Sequence, residues 1–505
     1  MPPRVHEKAV RVIRKTTAVL IAVVATLVLL GRVTPAQVTP TDSDLERASA
    51  GRTLAIGAVS SGGSVSIVPL EVYVARVLAG EGEPGAADAA QQALAVAIRT
   101  YAIVNAGRHR RDGFDLCDTT HCQVLRAATE SSRRATMATA GRVLTLGGRP
   151  VEIFYSASCG GQSESAVNVW PGAGQFSYLK SVRDDVHEDD VPWVLDLTLD
   201  EIHQALARAG FGGDRLRDIQ IDSRTSSGRV ARLRLPGLRP DAIAGDPFRM
   251  AIGARMLRST AFSMTRSGAI VHFTGVGYGH GVGMCVIGAG RRARRGESVE
   301  AILAQYYPNL QLTDLASASV SPRPIAPPPV EVSASGVVVA VPRDSKVSAR
   351  DLERITVNAR ESLTRALGTQ AVPVTVELHN TLDQFRLEVR RPWWVSAAVT
   401  GSTIDLAPAA LLEQREGIEA TLRTAMAELL MSSTLADRPA WVRIGGARYF
   451  ASASRPPAPS SNVSCPADAE LTLALSAVAQ REAESRAVRC FARALAKTGD
   501  WRTIR

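Results

Sequence analysis

No stretch of this sequence strings lysines and arginines together with interleaved aromatics, so nothing in it is built to track a nucleic-acid backbone. The formal charge of +10 does not restore that reading. Half of the excess sits in residues 1–36, where Arg4, Lys8, Arg11, Arg14, Lys15 and Arg32 face only Glu7. The remainder, spread thinly over a long chain, suits an anionic wall or membrane surface. Also lacking near the N-terminus is an apolar run of membrane-spanning length: residues 18–30 supply 13 residues where about 20 are needed. That short run follows a basic start and precedes Thr34-Pro35-Ala36, with small residues at the −3 and −1 positions of a cut. The pattern predicts an exported protein of the periplasm or cell envelope, with residues 1–36 a cleaved signal peptide. A retained anchor in contact with the membrane is the alternative. No fixed-period repeat spans the chain, which excludes a solenoid or propeller.

What is present is ordinary globular composition, 45% hydrophobic and 21% charged over 505 residues, enough for two or three domains with their own cores. The small, proline-rich stretch 317–332 (SASVSPRPIAPPPVEV) cannot bury a core and is expected to run extended as a linker. The boundaries that follow are an α+β domain over 53–316, a second α+β domain over 333–455 and a helical tail over 465–505. Strands are expected at 65–68, 337–341 and 374–378, and a hairpin at 142–146 and 151–155 around Gly147-Gly148. Helices are expected at 87–105, 349–367, 418–431 and 467–497.

The stretch 68–102, VPLEVYVARVLAGEGEPGAADAAQQALAVAIRTYA, carries Ala89, Ala90, Ala93, Ala95 and Ala97, which let a helix pack close to its neighbours. On composition alone it is a buried scaffold. Three further blocks stand out: FDLCDTTHCQVL (114–125), FYSASCGGQSES (154–165) with Trp170 after it, and GVGYGHGVGMCVIGA (275–289) followed by ILAQYYPN (302–309). Taken in order over about 250 residues, the four blocks resemble the SpoIID/LytB family, the stage II sporulation protein D-like lytic transglycosylases. The resemblance places the family's acid 18 positions before Arg99, at Glu81, with Glu83 as its rival. It also makes Arg99, Tyr101, Gln123, Tyr155, Ser158, Tyr278 and His280 candidates for binding or orienting glycan. Each is as readily a packed or structurally hydrogen-bonded residue. Leu94 and Val286 stand where the family commonly has glutamine, and Gly82-Glu83-Pro84 departs from the usual Met-Pro after the acid.

The activity the resemblance implies is cleavage of peptidoglycan glycan strands, peptide-stripped ones above all, leaving 1,6-anhydro-muramic ends. Most glycosidases need two carboxyl groups. When the muramic C6 hydroxyl attacks its own anomeric carbon, one glutamate serves as acid for the leaving oxygen and base for that hydroxyl. Glu81 must then be protonated near neutrality, its pKa raised from ~4.3 toward ~6 by burial. A place just ahead of the 87–105 helix would act against this, since a helix N-terminus favours the anion. The alternative from another class is a non-catalytic wall-binding module, or one that modifies a partner amidase.

Cys117, His121 and Cys122 form a cluster able to hold zinc, with Cys159 or Cys285 as fourth ligand; disulfides among these four cysteines are the competing reading, and free thiols are the third. After the linker, LDQFRLEVRRPWWVSAA, IDLAPAALLEQREGIEATLRTAMAELLM and RPAWVRIGGARYF resemble, in order, a gluzincin-type metallopeptidase. Thr424, Ala425 and Glu428 stand where His, Glu and His belong, and Ile444 where the last ligand belongs. The resemblance therefore implies a degenerate domain without a zinc site, its shell including Trp393, Trp394, Trp441 and Tyr449. Cys465 and Cys490 are expected to staple the tail.

Overall fold

The computed structural model describes residues 39–505 apart from 62, 110–111, 171–175, 185–189, 318–329, 335, 344, nine positions between 381 and 393, and 453–462. The signal segment, Trp393 and most of the proline-rich linker lie outside the described residues. The α+β expectation holds, and the described residues build three large cores and one small cluster around Ala440 and Leu471.

The first core forms around two helices, Leu70–Glu81 and Asp88–Asn105. Ala90, Ala93, Ala95 and Ala97 are buried along the second, the close packing their small side chains permit. Strands Thr53–Gly57 and Val65–Pro69 pair antiparallel and lead directly into the first helix. On another side Gln311–Asp314, Arg142–Leu146 and Arg149–Pro150 form a three-stranded sheet. The hairpin is therefore shorter than expected. Tyr155–Ser156 leaves it to pair in parallel with Met284–Cys285, a ladder of two residues per strand that joins the glycine-pair block to the closing block. This approach needs Gly283, where a Cβ would lie 1.8 Å from the Phe154 carbonyl oxygen.

Between those two blocks the chain builds a second core, so the region 53–316 is not one unit but two. Strands Trp193–Thr198, Ile270–Gly275 and Phe262–Ser267 form one antiparallel sheet and Gln220–Arg224, Val230–Arg234 and Ala242–Ala244 another. Helices Leu199–Arg208 and Gly245–Ile252 close it over Phe248 and Phe273.

The third core lies under a five-stranded sheet whose three inner strands, Val337–Val341, Val374–Leu378 and Thr403–Leu406, run parallel. Helices Ala349–Leu367 and Ile418–Leu435 pack on it. The helical region expected at 467–497 forms as two helices, Asp468–Thr472 and Ala477–Thr498, and the Cys465–Cys490 disulfide is present. Nor is the tail separate. Phe491, Trp501 and Ile504 belong to the third core, while Ala469 is buried in the second, its amide donating to the Gly210 carbonyl at 2.9 Å. The tail thus clasps the C-terminal unit to the middle one.

Candidate active site

Glu81 is the last residue of the Leu70–Glu81 helix, and Gly82 caps it by donating its amide to the Leu78 carbonyl. The expectation of a position ahead of a helix start is corrected: Glu81 lies at the negative end of the helix dipole, which disfavours its carboxylate. Burial acts in the same direction and holds its pKa above the usual glutamate range, opposed by hydrogen bonds from Tyr155 and the Val124 amide. The residue is half-buried, so the acid is desolvated while keeping some contact with solvent.

A chain of side chains fixes this carboxyl. The Val124 amide donates to Glu81 Oε1 at 2.5 Å. The Tyr155 hydroxyl hydrogen-bonds the same carboxyl and accepts from Gln123 Nε2 at 2.8 Å. Gln123 Oε1 in turn accepts from the Tyr73 hydroxyl at 2.9 Å. Tyr73 is an addition to the expected residues. It lies eight residues before Glu81 on the same helix and is fully buried, so in sequence it reads as core. Burial pushes the hydroxyls of Tyr73 and Tyr155 well above the usual tyrosine range, so both stay protonated donors.

The other expected residues divide. Arg99 is 0% exposed, with Nε and Nη2 on the Glu71 carboxylate and Nη1 on the Arg142 carbonyl. It has no surface to offer a glycan, and the glycan-binding expectation for it is corrected to a structural ion pair. Tyr101 is buried beside the site and accepts from Arg108 Nη1 at 2.9 Å. Ser158 and Tyr278 exchange backbone hydrogen bonds, leaving the Tyr278 ring 45% exposed. His280 accepts the Val282 amide on Nδ1, and its ring lies 5.0 Å from Trp170. Burial, then the charges of Arg249 and Arg229, lower its pKa to about 3, so it is neutral at any physiological pH. Glu83 faces away from the Glu81 network, paired with Arg294 at 3.7 Å and packed on Gly290. The structure therefore brings Glu81, Gln123 and Tyr155 together and leaves Glu83 out.

Immediately before Gln123 lies a group of four possible metal ligands, His109, Cys117, His121 and Cys122. His109 Nε2 lies 3.2 Å from His121 Nδ1 and 3.3 Å from Cys122 Sγ, and His121 Nδ1 lies 3.4 Å from Cys117 Sγ. A tetrahedral zinc with Cys2His2 ligation sets its donor atoms about 3.3–3.8 Å apart, close to this spacing. The Asp112 carboxylate takes His109 Nδ1 at 2.7 Å and aims the other ring nitrogen at the cluster. The residue grouped with Cys117, His121 and Cys122 is His109, whereas Cys159 and Cys285, the residues expected there, form a separate group with Asp184. Cys117, Cys122, Cys159 and Cys285 are unlinked, so none of the disulfide pairings expected among them is present in this structure.

In the C-terminal unit Thr424, Ala425 and Glu428 lie on the Ile418–Leu435 helix and Ile444 on Ala440–Ala451. Trp394 donates its indole N–H to Gln480, and Trp441 and Tyr449 pack against the apolar clusters.

Comparison with known proteins bears on the first half of the chain. Residues 60–146 match the family profile described as Stage II sporulation protein, SpoIID, and residues 175–283 match a domain of unknown function, DUF8618. Stage II sporulation protein D of Bacillus amyloliquefaciens is 29% identical over 275 residues, covering 50% of this chain and 77% of that protein. An uncharacterized protein of Brachyspira hyodysenteriae is 29% identical over 255 residues, covering 50% of this chain and 68% of its own. The amidase enhancer of Bacillus subtilis is 25% identical over 275 residues, covering 44% of this chain and 38% of that protein. These matches support a SpoIID-type domain, its profile spanning Glu81, Gln123 and the Cys/His cluster. The peptidase-like reading of residues 333–455 gains no support from the matched profiles, which fall at 60–146 and 175–283.

Proposed function

We propose that this protein is an exported cell-wall enzyme, a lytic transglycosylase that cuts peptidoglycan glycan strands with Glu81 as acid and base. The observation that carries the reading is the environment of Glu81: a single half-buried carboxyl at a helix C-terminus, with a raised pKa and two donors fixing its orientation. Protonated Glu81 gives its proton to the leaving glycosidic oxygen. The muramic C6 hydroxyl then closes on the anomeric carbon and returns its proton to the carboxylate, so one residue completes the cycle without an attacking water. The two hydrogen bonds stabilise the carboxylate formed in between, and holding hydroxyl and carbon as neighbours supplies the proximity term. Peptide-stripped strands are the preferred substrate in this reading.

Zinc at His109, Cys117, His121 and Cys122 belongs to the same proposal. Four protein donors close a site, so the ion's chemistry would be structural. Its ligands would anchor the loop that ends in Gln123 and the Val124 amide, the two groups that reach the Glu81 network. The C-terminal unit, read as a degenerate peptidase-like fold, serves as a docking unit for the wall or a partner enzyme. The likeness to an amidase enhancer favours a second reading, a non-catalytic module that modifies an amidase. Glu81→Gln separates the two, since it abolishes 1,6-anhydro ends in the first reading and leaves amidase stimulation untouched in the second.

A further inference from the structure

Two thiols belong neither to the Glu81 network nor to the Cys/His cluster. Cys159 and Cys285 are both buried, the Cys159 amide donates to Cys285 Sγ at 3.1 Å, and the thiols hydrogen-bond each other. Their sulfurs and the Asp184 carboxylate all lie within 4.8 Å of one another. Cys159 follows the strand Tyr155–Ser156, and Cys285 ends the strand Met284–Cys285 that pairs with it. Only two residues on each side make that ladder, and it carries Tyr155, whose hydroxyl meets Glu81.

We propose that Cys159 and Cys285 form a disulfide in the mature protein, clamping the ladder that positions Tyr155. As a metal site the group is one donor short of a closed tetrahedron, and Asp184 is already engaged by the Tyr306 hydroxyl at 2.6 Å and by Arg292 at 3.6 Å. Those partners also let Asp184 lose the Cys159 thiol proton without being left bare. The Cys159 and Gly288 amides that point at Cys285 Sγ keep a sulfur acceptor after oxidation. Cys159 lines a cavity of about 390 Å³ together with Gly160 and Val276, and because its side chain is buried the exchange takes place as the chain folds, before the thiol is covered. The step is thiol–disulfide exchange with a low-molecular-weight disulfide such as oxidised glutathione. The thiolate of Cys159 attacks one sulfur of the oxidant and releases one thiol. The thiolate of Cys285 then attacks the mixed disulfide at Cys159 and releases the second. Two electrons and two protons pass from the protein thiols to the oxidant. Such a bond persists in the kind of compartment that tolerates Cys465–Cys490.

The effect on catalysis rests on the proposed transglycosylase activity, but the bond itself does not, and it is measured separately. The full chain is equilibrated with a reduced and oxidised glutathione pair, quenched in denaturant with an alkylating agent and digested for mass spectrometry. The expected result is a linked pair of peptides containing Cys159 and Cys285 in nearly all molecules, with Cys117 and Cys122 alkylated. Alkylation of both Cys159 and Cys285, or linkage of either to another cysteine, overturns the proposal. A second readout compares melting temperatures with and without reductant in wild type and in the double variant Cys159→Ser/Cys285→Ser. The wild-type drop must exceed that of the double variant, whose remaining drop belongs to Cys465–Cys490. Equal drops would also overturn it.

Discussion

The amide of Val124 reaches Glu81 Oε1 at 2.5 Å because the segment after Gln123 runs directly over Gly80, where a Cβ would lie 2.2 Å from the Val124 carbonyl oxygen. The glycine one residue before the acid is thus a spacing device for the acid's own hydrogen bond. Replacing Gly80 by alanine pushes the 123–126 segment outward. We expect a loss of about 1–3 kcal/mol in stability, the usual cost of overpacking, and a much larger loss of glycan cleavage. Denaturant melts beside turnover of purified strands check this, and an active, unperturbed Gly80→Ala would remove the close approach from the account.

Tyr155→Phe takes away a donor that lowers the Glu81 pKa. The pKa of the acid therefore rises further. Activity that needs protonated Glu81 falls as pH rises through that pKa, so the alkaline limb of the pH profile moves upward in the variant. Loss of a hydrogen bond to a carboxylate costs about 1.5–3 kcal/mol, or roughly tenfold or more in kcat. A limb that stays put or moves down contradicts the assignment of Tyr155.

Stability supplies an independent sign test. A carboxyl whose pKa is raised on folding destabilises the native state once the pH passes its unfolded value, because the unfolded chain ionises first. Glu81→Gln should therefore melt higher than wild type at pH 7. The difference shrinks as pH falls below the ordinary glutamate range, where both forms of wild type are protonated. Thermal melts across pH 3–8 measure it, and a variant less stable at pH 7 than at pH 4 relative to wild type would contradict a raised pKa.

Arg99 and Glu71 give the contrasting case of motif residues that act on the fold. Arg99→Met leaves the Glu71 carboxylate buried and unpaired, and it should cost about 3–5 kcal/mol. The double replacement Arg99→Met/Glu71→Leu should recover much of that stability. If single and double variants fold normally but fail to bind glycan, Arg99 is a ligand after all.

Glu81, Gln123 and Tyr155 are legible in the motif blocks, since each carries its chemistry in its own side chain. Other parts of the site have no such signature, for identifiable reasons. The Val124 donor is a backbone amide, common to every residue but proline. His109 joins the cysteines across a loop from outside the motif block, and Tyr73 is indistinguishable in sequence from core. The helix Leu70–Glu81 is masked because Val72, Val74 and Val77 favour strand, a local preference that burial of both helix faces overrides. Without that helix, the dipole acting on Glu81 takes the wrong sign. The second core interrupts the first between Leu179 and Val282, a division no composition change marks.

Metal removal tests the proposed role of the Cys/His cluster. The purified chain should carry about one zinc per molecule, and both chelation and His109→Ala should lower glycan cleavage and loosen the loop before Gln123. Hydrogen exchange at the Gln123 and Val124 amides reads the loosening directly. A chain without zinc that cleaves normally would leave the cluster without that role.

The most direct test of the central claim is mass spectrometry of purified, peptide-stripped glycan strands incubated with wild type, Glu81→Gln and Glu83→Gln. The account predicts 1,6-anhydro-muramic ends from wild type and from Glu83→Gln, and none from Glu81→Gln, which still binds the strands. Products with 1,6-anhydro ends from Glu81→Gln, or reducing ends and no anhydro ends from wild type, would contradict it.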